Sequence, residues 1–131
     1  MSKNPVVHFE MPYKDAKRVA EFYKQAFGWS MSDAGKEMGN YLLAGTAETD
    51  ENQMVKTPGT INGGFYALET APQPKEPSVV ISVDDIDAAM KGIETAGGEV
   101  LDKPQDIPGI GLWVSFRDSE GNRVSILQAK R

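Results

Sequence analysis

The chain has 131 residues, 40% of them hydrophobic and 25% charged, with a net charge of −5 and a pI near 4.9. This length and balance suit one soluble domain that buries roughly two-thirds of its unfolded surface, while the acidic excess argues against nucleic acid, whose phosphates require a basic face. The absence of cysteine excludes disulfides, a thiol nucleophile and Cys-ligated zinc. No stretch approaches the ~20 apolar residues of a membrane helix. The start, Met-Ser-Lys-Asn-Pro, lacks the apolar run of a signal peptide. The expected location is the cytoplasm, with no membrane partner.

Val6 to Met11, bracketed by Pro5 and Pro12, reads as a strand. Alternation puts Val7, Phe9 and Met11 on one face, against a helix, and Val6, His8 and Glu10 on the other. Asp15 is a good N-cap. Val19, Phe22, Tyr23, Ala26 and Phe27 then follow the rhythm of a helix with one buried stripe, which Gly28 ends. Trp29 to Ser32 and Asn40 to Ala44 read as short strands joined by a turn through Gly35 and Gly39. The acidic run Thr46 to Gln53 lacks calcium-loop spacing and reads as a solvated loop. Ile61 to Leu68 is a strand whose Gly63-Gly64 doublet implies a bulge or the close approach of another group. Ala71 to Pro77, with three prolines, is a stiff linker.

The layout then repeats. Val79 to Val83 is a strand, and Asp84, Asp85 and Asp87 suit a helix start rather than a metal. Ile86, Ala89, Met90 and Ile93 form the buried stripe. Gly92 within the helix costs ~1 kcal/mol relative to alanine and suggests close packing there. Gly97 and Gly98 stop the helix. Glu99 to Leu101 is a strand and Pro104 to Gly111 a loop. Leu112 to Phe116 and Arg123 to Gln128 are strands joined by a turn that includes Gly121. Asp15 and Asp85, like Gly28 and Gly98, lie 70 residues apart. The fold class is therefore α+β: one domain over 1–131, built of two β-α-β-β-β modules (about 5–70 and 78–128) that form a curved mixed sheet around a cavity.

Three segments carry a resemblance to a known family: VVHFEM with EFYKQAFGW, VVISVDDIDAAMKGIETAGGEV, and FRDSEGNRVSILQ. Together with INGGFYAL they resemble the vicinal oxygen chelate superfamily of glyoxalases, bleomycin-resistance proteins and extradiol dioxygenases, in its glyoxalase-like branch. The resemblance implies a metal held by four cavity-facing side chains, His, Gln or Glu in the glyoxalase type. By position these fall on His8, on or near Gly64, on Ser78 and on Ser125. Only His8 matches a ligand, so no metal site is assigned and no cofactor is expected; a divalent metal is disfavoured.

His8 is the sole histidine, a base or remnant ligand, or else a hydrogen-bonded wall residue. Glu10 shares its face and either tunes it or sits at a solvated strand end. Ser78, Ser82 and Ser125 supply hydroxyls, without the elbow or second histidine of a nucleophile. Arg123 shares a face with Ser125 and either meets an anion or is exposed at the hairpin end. Trp29, Tyr41, Phe65, Trp113 and Phe116 either wall a pocket or pack in the core, and Trp113 is the best pocket candidate. Pocket residues are thus His8, Glu10, Ser78, Ser82, Trp113, Arg123 and Ser125, with no catalytic residue assigned. The leading expectation is a protein that binds a small, partly apolar molecule in the inter-module cavity without the family metal, whether or not it is an enzyme. A metal-dependent lyase, isomerase or dioxygenase with a relocated site is the second reading, and a ligand-free interaction module the third. Modules of this kind often pair across chains, so a homodimer is expected.

Overall fold

A computed structural model describes residues 3–68 and 76–130. Among them are nine strands and two α-helices, the α+β class expected; most of the proline-rich stretch 71–77 lies outside the described residues. Among the described residues, no helix is long and apolar enough to cross a membrane. The described residues group into two compact units, 8–68 with 76–77, and 3–7 with 78–130. Residues 5–7, expected in the first module, group with the second unit, where the Pro5 carbonyl accepts from the Ser82 N–H at 2.9 Å.

The first unit takes in most of β1 (Val6–Tyr13), then α1 (Ala16–Phe27), β2 (Ser30–Asp33), β3 (Leu42–Gly45) and β4 (Asn62–Ala67). One turn of 3-10 helix (Lys36–Met38) lies between Gly35 and Gly39. The sheet order is β2-β3-β4-β1, with β4 and β1 parallel and the other neighbours antiparallel. The Asp15 carboxylate accepts from the Arg18 N–H at 3.0 Å and caps α1. Gly28, left-handed at φ 73°, closes the helix with an N–H to the Lys24 carbonyl. Leu42, Ala44 and Phe65 form the core, against which Phe9, Met11, Val19, Tyr23 and Trp29 pack. Side chains of this size contribute about 1.5–3 kcal/mol each when fully buried.

Two expectations fail here. Val7 is 39% exposed, because the core under α1 begins at Phe9. Phe22 and Phe27 are 56% and 63% exposed, because the stripe that reaches the core is the narrower Ala16, Val19, Tyr23. Phe22 instead meets the edge of Tyr23, with ring centres 5.0 Å apart. Trp29 and Phe65 take the core reading open to them; Trp29 stacks on Tyr23 with ring centres 4.6 Å apart.

The second unit contains β5 (Ser78–Ser82), α2 (Ile86–Thr95), β6 (Glu99–Val100), β7 (Gln105–Ile107), β8 (Gly111–Arg117) and β9 (Arg123–Ala129). β5 runs parallel to β9, and β8 lies antiparallel to β9 and carries both β6 and β7. Val83, Ile86, Val114, Phe116 and Ile126 form its core, with Ala89, Met90 and Ile93 of α2 packed on them; Phe116 is thereby a core residue. The expected loop 104–111 holds the short strand β7, since Gln105 to Ile107 pair with Trp113 to Gly111. No close packing surrounds Gly92: a Cβ there would meet nothing within 4 Å.

With β7 set aside, β6-β8-β9-β5 repeats the order β2-β3-β4-β1, so each unit is a β-α-β-β-β module. The helices start alike, since Asp85 caps α2 through the Ala88 N–H at 3.1 Å. They stop differently. Gly97 (φ 99°) and Gly98 donate to the Glu94 and Ile93 carbonyls, a two-bond cap in which Gly97 is the left-handed residue. Gly98 matches Gly28 in position but not in conformation.

Candidate functional site

In the first unit the site grows from the strand alternation. Phe9 and Met11 pack into the core under α1, so His8 and Glu10 project from the opposite face of β1. Register places Asn62 beside His8, and Gly64 beside Glu10. On β3, Leu43 pairs with Gly64, and Tyr41 precedes Leu43 by two residues and shares its face. The Tyr41 hydroxyl lies 2.9 Å from Nε2 of His8 and donates to Oε2 of Glu10 at 3.2 Å. Glu10 is 8% exposed, so the solvated strand end is not its place.

The Gly63-Gly64 doublet makes this arrangement possible. Pairing with β1 runs unbroken from His8–Asn62 to Tyr13–Ala67, so no bulge is present. A Cβ at Gly63 would overlap the Phe9 ring, and one at Gly64 would overlap the Tyr41 ring. Each glycine admits one aromatic ring, on opposite faces of β4. Burial pushes the His8 imidazole below its ordinary pKa, which keeps the ring neutral. Burial pushes the Tyr41 phenol far up, and the charge and hydrogen bond of Glu10 add to this.

In the second unit, Val80 pairs with Ser125, Ser82 with Leu127, Trp113 with Leu127 and Ser115 with Ser125. Ile81, Val114 and Ile126 face the core under α2, so Ser82, Trp113, Ser115, Arg123 and Ser125 share the other face. Continuing the β5–β9 register puts Ser78 opposite Arg123. The strands thus gather five sequence-predicted residues, Ser78, Ser82, Trp113, Arg123 and Ser125, onto one face. Ser125 is fully buried and Arg123 is 5% exposed, so exposure at the hairpin end does not hold. The Oγ atoms of Ser78 and Ser125 are buried without a hydrogen-bond partner among the described residues. Two surface depressions of about 420 Å³ lie elsewhere, one bounded by Asp106, Leu112 and Gln128, the other by Tyr13, Arg18 and Phe22. Neither is lined by a sequence-predicted site residue.

Residues 6–126 match the glyoxalase/bleomycin resistance protein/dioxygenase superfamily. The chain belongs to this superfamily. It is 32% identical over 127 residues to the anthracycline biosynthesis protein DnrV of Streptomyces peucetius, covering 86% of this chain and 42% of that protein. The chain therefore spans less than half the length of that relative. A probable lactoylglutathione lyase of Vibrio cholerae is 29% identical and matches 100% of this chain and 95% of its own. Among solved structures, the methylmalonyl-CoA epimerase of Streptomyces coelicolor superposes with a TM-score of 0.71 at 15% identity, covering 99% of this chain and 100% of that one. This last likeness concerns the fold alone.

The donors that the superfamily's metal requires do not fit these residues. At the first-unit positions, Nε2 of His8 is engaged by Tyr41, and the space a side chain at 64 would enter holds the Tyr41 ring. At the second-unit positions stand two serines, weak donors beside imidazole or carboxylate. Among the described residues, no three His, Asp or Glu side chains form a metal-binding group.

Two site residues escape a reading of the sequence. Tyr41 reads only as one of several aromatic wall residues, although the bare Gly64 already signals that something bulky approaches. Ser115 becomes visible only once the hairpin register sets it opposite Ser125.

Proposed function

We propose that this superfamily member binds a small, partly apolar molecule and does so without the metal centre of its glyoxalase-type relatives. One observation carries the reading: Tyr41 covers Gly64 and holds His8, so the first unit offers a hydrogen-bonding wall in place of a ligand pair. The second unit supports it with a face that mixes Trp113, Val80 and Leu127 with serine hydroxyls and Arg123. An apolar surface with a few placed polar groups is the usual make-up of a small-molecule site. Names such as anthracycline biosynthesis protein and lactoylglutathione lyase suggest a small organic molecule without selecting one.

Two measurements test the proposal. Elemental analysis of protein purified without chelator is expected to find no stoichiometric nickel, zinc, iron or manganese. Stoichiometric metal that is lost in His8→Ala would overturn the metal-free reading in favour of a lyase, isomerase or dioxygenase. A melting-temperature screen against small aromatic and carbonyl compounds is expected to yield a stabilising ligand, because binding to the native state alone raises stability. A broad library without a shift would favour an interaction module.

A further inference from the structure

With Glu10 ionised, the hydrogen bonds around Tyr41 set an order of protons from Glu10 to His8. A phenol has one proton and two lone pairs. An ionised Glu10 carboxylate can only accept, so it takes the Tyr41 proton, and the same phenol oxygen then accepts from His8. The imidazole and phenol planes lie within 21° of each other, with ring centres 6.4 Å apart. The 2.9 Å separation is that of a hydrogen bond, which an N–H on Nε2 can donate to a phenol lone pair. In a neutral imidazole one nitrogen donates and the other accepts. With the proton on Nε2, Nδ1 is left as an unprotonated acceptor, and it has no hydrogen-bond partner among the described residues.

We infer that Glu10 and Tyr41 are positioning residues that hold His8 in the Nε2–H tautomer, so that Nδ1 forms an acceptor site for a ligand O–H or N–H group. The ligand class is a neutral or cationic hydrogen-bond donor, such as a phenol, an enol or a protonated ring nitrogen. A carboxylate or phosphate is disfavoured, since the lone pair of Nδ1 opposes an anion. This inference deepens the small-molecule reading and, for the ligand class, rests on it; the tautomer does not. The imidazole then serves as a hydrogen-bonding group whose Nε2 is engaged by Tyr41.

The sole histidine makes the test direct. Long-range nitrogen–proton NMR of the labelled, ligand-free protein at neutral pH is expected to show a protonated Nε2 and an unprotonated Nδ1, with a downfield Nε2 proton protected from exchange. A majority Nδ1–H form would overturn the inference. Tyr41→Phe keeps the ring over Gly64 and removes the hydroxyl, both the acceptor for His8 and the donor to Glu10, so the protected proton is expected to be lost. If it survives in folded Tyr41→Phe protein, Tyr41 is not the positioning residue. Should that variant fail to fold, the wild-type tautomer remains decisive. Phenol and its methyl ether, anisole, then probe the acceptor. Phenol is expected to shift the Nδ1 resonance, and anisole to leave it unchanged. Equal shifts, or none with phenol, would overturn the ligand class even if the tautomer is as inferred. That result is separate from a failed ligand screen, which touches the small-molecule reading alone.

Discussion

Nε2 of His8 and the hydroxyl of Tyr41 stand 2.9 Å apart, although 33 residues separate them in the chain. The contact depends on a flat, unbulged β4 between β1 and β3 and on the missing side chain at Gly64. It places an ionisable ring in a buried hydrogen-bonded setting, with consequences for stability that can be measured.

The first concerns pH. Burial lowers the His8 pKa below 6.5 in the folded protein, so the folded state favours the neutral ring. The corresponding stability is full above the unfolded pKa of ~6.5 and is lost as pH falls through the folded value, at up to ~1.4 kcal/mol per pH unit. Glu10 and Tyr41 are the groups bonded in this chain, and Tyr41, with its raised pKa, stays protonated throughout. Urea unfolding at a series of pH values from 8 to 5 is expected to show this decline, and His8→Gln to remove it. An unchanged profile in His8→Gln would assign the decline to other groups.

Gly64→Ala is expected to destabilise the protein by about 1–3 kcal/mol through overpacking against the Tyr41 ring. In a Tyr41→Ala background the same substitution is expected to cost little, since the ring it meets is gone. A double-mutant cycle by chemical denaturation measures the coupling, which for touching residues is ~0.5–3 kcal/mol. Additive effects would mean that the ring moves aside freely.

Gly92→Ala is expected to stabilise the protein by about 0.5–1 kcal/mol. The added methyl meets nothing within 4 Å, and the helix gains propensity. An increase in melting temperature checks this; a decrease would reveal a contact that the free space excludes.

Asn62 sits beside His8 on β4, and its Oδ1 accepts from the N–H groups of Thr46 and Ala47, each at 2.8 Å. Asn62→Ala leaves both donors without that acceptor, at a cost of about 1–3 kcal/mol each where they stay dry. Hydrogen exchange at Thr46 and Ala47 is expected to accelerate more than exchange within β4. Uniform acceleration would mean that the clamp matters to the whole unit.

Much of this architecture is legible from residue order, because local rules govern it. Asp15 and Asp85 cap helices as their residue type suggests, and alternation sorts His8 from Phe9 correctly. The misreadings lie where distant neighbours decide. Phe22 fits the apolar rhythm of α1, yet the core reaches only Ala16, Val19 and Tyr23. Pro104 to Gly111 has the composition of a loop, yet β8 offers a free edge, and Gln105 to Ile107 pair with it. The Gly63-Gly64 doublet announces a close approach but not what approaches. That Phe9 comes from one side and Tyr41 from the other depends on registers that only the assembled sheet sets.

The ring over Gly64 also bears on how this protein can change by descent. A carboxylate introduced at position 64 would collide with Tyr41, and a small residue placed first at 41 would leave a void beside Gly64. Either first step lowers stability, so the route to a side chain at 64 is closed to single substitutions in the present background. It opens once reserve stability has been gained elsewhere, and the space around Gly92 is one place to gain it. Tyr41 and Gly64 therefore act as a ratchet, which turns only when both positions move.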